Sequence, residues 1–186
     1  MPTKPAKTRA KPAAREVAVA PLARGIVSSS HLVSPRSVES SEFEFGLIVA
    51  WNAFAGWAVR CMAAAGCPDL TITDVTLLHH VSHRARNKKL ADICFVLNYE
   101  DSHVVAYSLK KLVAAGLVQT EKIGKEVFYS PTPQGEAHVA KYREVREACL
   151  VNNIDADLNR QIGELARLLR TMSGLYDQAA RAASSL

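Results

Sequence analysis

The sequence predicts a mainly helical α+β protein in which a compact unit of three helices and a β-hairpin lies between long helices. Two observations predict this arrangement. Apolar residues recur at three- and four-residue steps over most of residues 42–183. Two short strand-like segments, VQTEKI and EVFYS, flank a single Gly124-Lys125 turn. The length of 186 residues and the hydrophobic content of 48% suit one domain of ordinary size plus an extension.

The extension is basic and lies at the N-terminus. Residues 1–34 hold six Lys or Arg and one acid, Glu16, a net charge of +5. The rest of the chain is neutral, with seventeen residues of each sign (23 − 6 and 18 − 1). Because this segment is rich in Pro, Ala and Ser, it cannot bury enough apolar surface to offset its ordering entropy. We predict a disordered basic arm over residues 1–36, with an organellar transit peptide as the alternative.

A long apolar helix is predicted from about Glu42 to Ala65, within an N-terminal dimerisation segment of residues 37–70. Its apolar residues follow helical spacing: Phe43, Leu47, Ala50, Phe54, Trp57 and Cys61. Since Trp51 lies on another face, the helix is either buried in one large domain or packed on two sides at a dimer interface. No run approaches the ~20 consecutive apolar residues of a membrane span, so we expect a buried helix.

The middle of the chain, residues 71–131, contains three predicted helices and the hairpin. Thr73-Asp74 is expected to cap a helix that ends near His83, and Lys89–Leu97 and Asp101–Ala115 are expected to be the next two. The positions predicted to face inward share apolar character and helical spacing: Val75, Leu78, Val81, Leu90, Ile93, Leu97, Val105, Leu109 and Leu112. Two helices joined by a short turn have the geometry of a DNA-reading unit.

The C-terminal segment, residues 132–186, is predicted to hold two more helices that serve in dimerisation. Thr132 is an N-cap followed by Pro133 at the first helical position, and this helix runs to about Leu150. The last helix, about Asp155 to Ala183, carries an apolar stripe: Leu158, Ile162, Leu165, Leu169, Met172 and Tyr176. Because these helices are too long for the middle unit to cover, they need each other or a second chain.

The candidate site is the outer face of the helix that begins near Asp101, together with basic residues around it. That face and the helix end present Ser102, His103, Ala106, Tyr107, Lys110 and Lys111. The hairpin and the preceding link supply Arg84, Arg86, Lys88, Lys89, Lys122 and Lys125. From residue 84 to 125 eight basic and four acidic residues give a local charge of +4. We interpret the pattern as a double-stranded DNA site, the alternative being an amphipathic helix with solvated lysines.

Here the sequence resembles the winged helix–turn–helix of MarR-type transcriptional regulators. The resemblance is carried by LADICFVLNYEDSHVVAYSLKKLVAAGLV, by the VQTEKIGKEVFYS hairpin and by TPQGEA, and it extends over about residues 42–183. It implies a winged-helix fold, a bacterial cytoplasmic regulator and a homodimer on a pseudo-palindromic operator, with the hairpin as wing. The wing is short and lacks the family's Asp-x-Arg pattern, so we expect the basic arm to replace part of its contacts.

The resemblance also implies a small aromatic effector between the dimerisation helices and the winged domain. Such a pocket would be lined by Trp51, Phe54, Trp57, Cys61 and His79. The alternative is that these side chains are ordinary core.

A sensor and a protein-assembly module are the competing functions. His79 and His83 have the i, i+4 spacing of a shared metal site, although the sequence has no HExxH glutamate and no CxxC pair. Cys61 is the candidate for redox sensing. A Gly-rich phosphate loop, a GxSxG motif and paired acids in an apolar setting are all missing from the sequence, so we expect neither an enzyme nor a cofactor.

Overall fold

The computed structural model describes residues 38–186, and the predicted basic arm therefore lies outside the described residues. The helices and strands are, in chain order, α1 Val38–Ala64, α2 Ile72–Ser82, β1 Lys88–Lys89, α3 Leu90–Leu97, α4 Ser102–Ala114, β2 Val118–Ile123, β3 Glu126–Pro131, α5 Pro133–Cys149 and α6 Ala156–Ala183. The predicted mainly helical α+β class and the order of its helices and hairpin are confirmed. The predicted bounds are correct to within a few residues, with the largest difference at the start of α1.

The hairpin belongs to a three-stranded antiparallel sheet of order β1-β3-β2. Ile123 pairs with Glu126 across a two-residue turn, and Gly124 adopts a φ of +63° there, which a glycine tolerates without steric cost. β1 pairs Lys88 with Tyr129 and Lys89 with Phe128. This strand was not predicted, because two consecutive lysines carry no alternating apolar pattern.

The core lies where α2, α3 and α4 meet α5 and the C-terminal part of α1. Of the predicted inward positions, Val75, Leu78, Val81, Ile93, Val105, Leu109 and Leu112 are buried, and Leu90 and Leu97 pack against them half-buried. Met62 and Leu77 are fully buried in the same core. The 3.6-residue period therefore gave the correct inward face for all three helices of the middle unit.

The start of α2 differs from its prediction. Thr71, rather than Thr73, is the N-cap, and Asp74 is the third helical residue of a capping box. The hydroxyl of Thr71 and the carboxylate of Asp74 each accept the backbone N–H of the other residue, at 3.3 Å and 2.8 Å. The prediction missed the acid three positions after Thr71, which is the spacing of a capping box.

α5 begins as predicted, and the geometry of its start explains why residue 135 is a glycine. Thr132 accepts the Gly135 N–H at 3.0 Å and donates its hydroxyl to the Gly116 carbonyl at 2.6 Å. A Cβ on Gly135 would lie 2.0 Å from the carbonyl oxygen of Leu117. Only glycine allows α5 to begin this close to the entry of β2, so the sequence Thr-Pro-x-Gly fixes the junction between wing and last two helices.

The two longest helices, the apolar α1 and the amphipathic α6, are largely uncovered. In α1 the C-terminal residues Ala58, Cys61 and Met62 are buried, whereas Ile48, Trp51 and Phe54 are about half exposed. By length and composition α1 is the one helix of the described chain apolar enough to cross a membrane. Its C-terminal part is nevertheless packed in the protein core, so the expected burial of α1 is correct for that part alone.

Candidate nucleic-acid interface

The outer face of α4 projects polar and aromatic groups away from the core. Asp101 caps the helix by accepting the His103 N–H at 2.8 Å. Since Val105, Leu109 and Leu112 are buried, the other face carries Ser102, His103, Tyr107 and Lys110 into solvent, with Ala106 half-buried at its edge. Tyr107 is 76% exposed, although a tyrosine ring is usually partly covered in a folded protein. This face can enter a groove without moving any core residue.

The turn before α4 is held by backbone and side-chain bonds. Asn98 ends α3 in the left-handed region, at φ 56° and ψ 43°, which asparagine adopts more readily than most residues. The Tyr99 N–H donates to the Cys94 carbonyl at 2.9 Å. The Asn98 amide donates to the carboxylate of Asp177 at 3.0 Å, which ties the turn to α6. The angle between α3 and α4 is therefore set by a defined turn.

Asp74 anchors α4 to α2 from inside the domain. Its carboxylate is 2% exposed and accepts the Lys111 ammonium at 2.7 Å, the Thr71 hydroxyl at 2.9 Å and a short hydrogen bond from the Ser108 hydroxyl. Burial alone would raise the pKa of Asp74, but the bonds from Lys111, Ser108 and Thr71 outweigh it and hold the pKa below its ordinary value. Asp74 is therefore a buried anion with donors on two helices.

The pairing of Lys111 changes how we interpret this residue. It was predicted to face DNA phosphates, but its ammonium lies on Asp74 and on the Asp69 carbonyl, each at 2.7 Å. A lysine with these partners positions the helix. Ser108 and Asp74 were not predicted to take part, although the capping-box spacing after Thr71 was a usable signal for Asp74.

Two lysines of the predicted link also have internal partners. The Lys88 ammonium donates to the carbonyls of Val81 at 3.2 Å, His83 at 2.5 Å and Arg86 at 3.3 Å. Lys89 pairs with Glu126 at 2.6 Å and lies 5.4 Å from the centre of the Phe128 ring. Desolvation lowers the pKa of Lys88, whereas the hydrogen bond to Glu126 raises the pKa of Lys89. Both side chains fasten the link to α2 and to the wing.

The other predicted basic residues are exposed, and their charged groups form no ion pair or hydrogen bond within residues 38–186. They are Arg84, Arg86, Lys110, Lys122 and Lys125. They lie on the link, on α4 and on the wing. The structure thus divides the predicted basic set into five available cations and three that hold the domain together.

The residues predicted to line an effector pocket are not all in one environment. Cys61 is buried and donates its thiol to the Tyr142 carbonyl at 3.5 Å, and His79 contacts the Tyr142 ring edge-on at 4.4 Å between centroids. Trp57 is half-buried, while Trp51 and Phe54 are exposed and pair with each other at 6.0 Å between centroids. Burial raises the pKa of Cys61 and lowers that of His79, so both are neutral near pH 7.

His79 and His83 do not share a helix face. The helical conformation of α2 ends before His83, whose backbone is extended at φ −77° and ψ 126°. His79 points into the core and His83 is exposed. Within the part of the chain that the structure describes, no group of three or more metal-ligating side chains comes together.

Comparison with known proteins agrees with this geometry. The family model for a winged helix DNA-binding domain matches residues 70–135. AbfR of Staphylococcus epidermidis has a similar structure at 18% identity and a TM-score of 0.61, over 73% of this chain and 92% of that one. No curated protein matches the sequence at a significant level.

Two further solved structures contain ligands or DNA. MarR of Staphylococcus aureus in complex with salicylate and kanamycin is 14% identical with a TM-score of 0.57, over 74% of this chain and 93% of that one. A cysteine-to-serine mutant of MarR from Escherichia coli in complex with operator DNA is 17% identical with a TM-score of 0.51, over 67% and 93%. The predicted MarR-type resemblance is therefore confirmed at the level of fold: residues 70–135 match the winged helix DNA-binding family, and the chain has the winged-helix fold seen in solved MarR-type regulators.

Proposed function

We propose that the protein is a sequence-specific, double-stranded DNA-binding transcriptional regulator that acts as a homodimer. The observation that carries this proposal is the outer face of α4, where Ser102, His103 and Tyr107 are exposed at the start of a helix whose other face is fully buried. Residues near the start of a recognition helix reach base edges in the major groove. His103 and Tyr107 are the residues we assign to base reading.

Phosphate contacts are assigned to the five available cations. Lys110 lies on α4, Lys122 and Lys125 lie on the wing, and Arg84 and Arg86 lie on the link. Each neutralised phosphate releases counterions, so these residues supply salt-dependent affinity that is alike for all sequences. Because Lys88, Lys89 and Lys111 have internal partners, we assign these three lysines a positioning role instead.

The homodimer is supported by the apolar stripe of α6. Within the described chain α6 has no buried residue, yet Leu158, Ile162, Leu165, Leu169 and Tyr176 recur on one face and are 36% to 49% exposed. A helix of this length is not stabilised by propensity alone, and an uncovered apolar stripe marks a contact surface. A second copy would supply a matching stripe and would place two α4 helices for a pseudo-palindromic operator.

A small-molecule effector is part of the proposal. Its support is the salicylate and kanamycin complex of the similar Staphylococcus aureus MarR. On α1 the rings of Trp51 and Phe54 are exposed and that of Trp57 is half-buried, so an aromatic ligand has ring surface to pack against. Which small molecule binds is decided by ligand screening with the purified dimer.

A winged-helix protein-assembly module is the second candidate. It is favoured by two apolar side chains on α3, Phe95 at 86% exposure and Val96 at 61%. Exposed apolar groups beside a recognition helix fit a protein partner better than a phosphate backbone. A metal- or redox-responsive sensor that uses His79 and His83 or Cys61 is the third, and the separate environments of the two histidines weigh against its metal form.

A gel-shift assay with genomic fragments distinguishes the first two candidates. We expect a subset of fragments to be retained at physiological salt in the presence of excess competitor DNA. Retention of all fragments alike at low salt, with complete loss at physiological salt, would contradict the regulator and would favour the assembly module.

A further inference from the structure

A basic pocket of about 420 Å³ lies between the end of α2, the link at residues 83–88 and α3. Its titratable lining is almost entirely cationic or imidazole, with a single acid: His80, His83, Arg84, Arg86, Lys88 and Asp92. The pocket is separate from the outer face of α4, none of whose residues lines it. A concave surface of this composition concentrates anions.

The link that forms the pocket wall is organised by Lys88. All three donors of its ammonium are used by carbonyls, those of Val81, His83 and Arg86. The residues bonded in this way precede and follow Arg84 and so fix the path of the link around it. Because the Lys88 ammonium holds the backbone of the link, the path of the link does not depend on a bound ligand.

Arg84 adopts a backbone conformation that arginine rarely adopts. Its φ is 65° and its ψ 29°, the left-handed region that favours glycine and asparagine. Such strain persists only where the surroundings enforce it, and it is found mainly at binding sites. Here Lys88 bonds to the carbonyls of His83 and Arg86, which flank the strained residue.

The guanidinium groups of Arg84 and Arg86 have no ion pair or hydrogen bond among the described residues, and both side chains are exposed. Arginine presents five donors in a planar fork that matches phosphate oxygens bidentately. Burial lowers the pKa of His80, and the nearby positive charges of Lys88 and His83 lower it further. The lining of the pocket is therefore electropositive at His80. The donors are therefore available at a site where an anion is favoured.

We propose that this pocket binds a phosphate group through Arg84 and Arg86, with Lys88 as the positioning residue of the link. Two sources have this chemistry, a free phosphorylated small molecule and a backbone phosphate of DNA. The second source depends on the proposed DNA-binding function, whereas the first does not. Free phosphate bound in the pocket would give the protein a second ligand site, distinct from the aromatic side chains of α1.

The site is tested on the full-length protein by NMR titration with sodium pyrophosphate at constant ionic strength. Arg84→Asn keeps a residue that tolerates the left-handed backbone, and combined with Arg86→Gln it removes both guanidinium groups. The matched control is Lys122→Gln with Lys125→Gln, which removes the same charge from the wing. We expect saturable shifts confined to residues 80–96, and an affinity about tenfold or more lower in the arginine variant but unchanged in the control.

The same three proteins are then titrated with a duplex DNA fragment. Weaker DNA binding of the arginine variant, with saturating pyrophosphate competing in the wild type, assigns the pocket to a DNA phosphate. DNA binding that is unaffected by pyrophosphate assigns it to a free ligand. Localised pyrophosphate binding without any DNA binding would contradict the proposed function and would still support the phosphate site. Shifts that spread over all basic residues, or that are equal in both variants, would overturn the pocket.

Discussion

The winged domain buries its apolar side chains, whereas the last helix, α6, exposes them. In the winged domain Leu77, Ile93 and Leu109 are fully buried, and the carboxylate of Asp74 is enclosed with its donors. In α6 the apolar stripe is exposed along its length, and its ion pairs lie in solvent between Arg160 and the acids Asp157 and Glu164. The difference teaches that the apolar surface of the winged domain is covered within one chain, whereas the α6 stripe has no cover among the described residues.

The largest expected effect comes from breaking the buried anchor of the winged domain. Asp74→Ala leaves Lys111, Ser108 and Thr71 without their acceptor, and the loss of one member of a buried ion pair costs about 3–5 kcal/mol. Urea unfolding of the two proteins measures this change in the free energy of unfolding. Glu164→Gln on α6 is the control, since an exposed pair contributes at most about 1 kcal/mol. Equal effects of the two changes would mean that the anchor does not stabilise the domain.

The anchor also has a pH dependence. Because the folded-state pKa of Asp74 lies below its ordinary value of 3.8, its stabilisation is present above that value and is lost as pH falls through the folded pKa. Below about pH 4 the wild type is therefore expected to lose stability more steeply than Asp74→Asn. Parallel acid-unfolding curves for the two proteins would contradict this assignment.

The next largest effect is expected from a substitution on α6, which should weaken the dimer and leave the winged domain folded. Ile162→Lys places a charge on the α6 stripe of both copies, and burial of each isoleucine is worth about 1.5–3 kcal/mol, so the dimer dissociation constant should rise at least ~100-fold. Analytical ultracentrifugation measures this change. Gln161→Lys adds the same charge one residue away and is expected to leave the dimer intact. The winged domain of the Ile162 variant should keep its folded NMR spectrum, and its loss would show that the two regions fold together.

A smaller effect is expected on the outer face of α4. Tyr107→Ala or His103→Ala should reduce discrimination between an operator and a mismatched site by about 1–3 kcal/mol. Lys110→Ala should weaken both sites alike and lower the salt slope by about one. Fluorescence anisotropy over a range of salt measures both. If the first pair lowers binding to every sequence equally, the base-reading face has been assigned incorrectly.

The smallest effect concerns His79, whose Nε2 is buried without a hydrogen-bond partner among the described residues. Burial lowers its pKa below 6.5, so the neutral ring is favoured in the fold and stability falls as pH drops below that value. His79→Phe keeps the ring contact with Tyr142 and should flatten this part of the pH profile. An unchanged slope between pH 6.5 and 5 in thermal unfolding would contradict it.

How far the sequence predicts this molecule depends on the range of each signal. The helical period identified Val105, Leu109 and Leu112 as buried, and so gave the outer face of α4, because periodicity is a local property. The partners of Lys111 and Lys88 were not predictable in this way. Asp74 lies 37 residues from Lys111 in the chain, and the carbonyls bound by Lys88 carry no side-chain signal. The partition of the lysines between solvent and interior is therefore a tertiary property.

The central claim is that the winged domain reads DNA sequence, and selection of binding sites from random duplex DNA tests it most directly. The account predicts enrichment of a pseudo-palindromic sequence that the wild type binds at least ~10³-fold more tightly than a scrambled duplex at physiological salt. Selection that enriches no common sequence, with affinity that follows duplex length and vanishes as salt is raised, would contradict it.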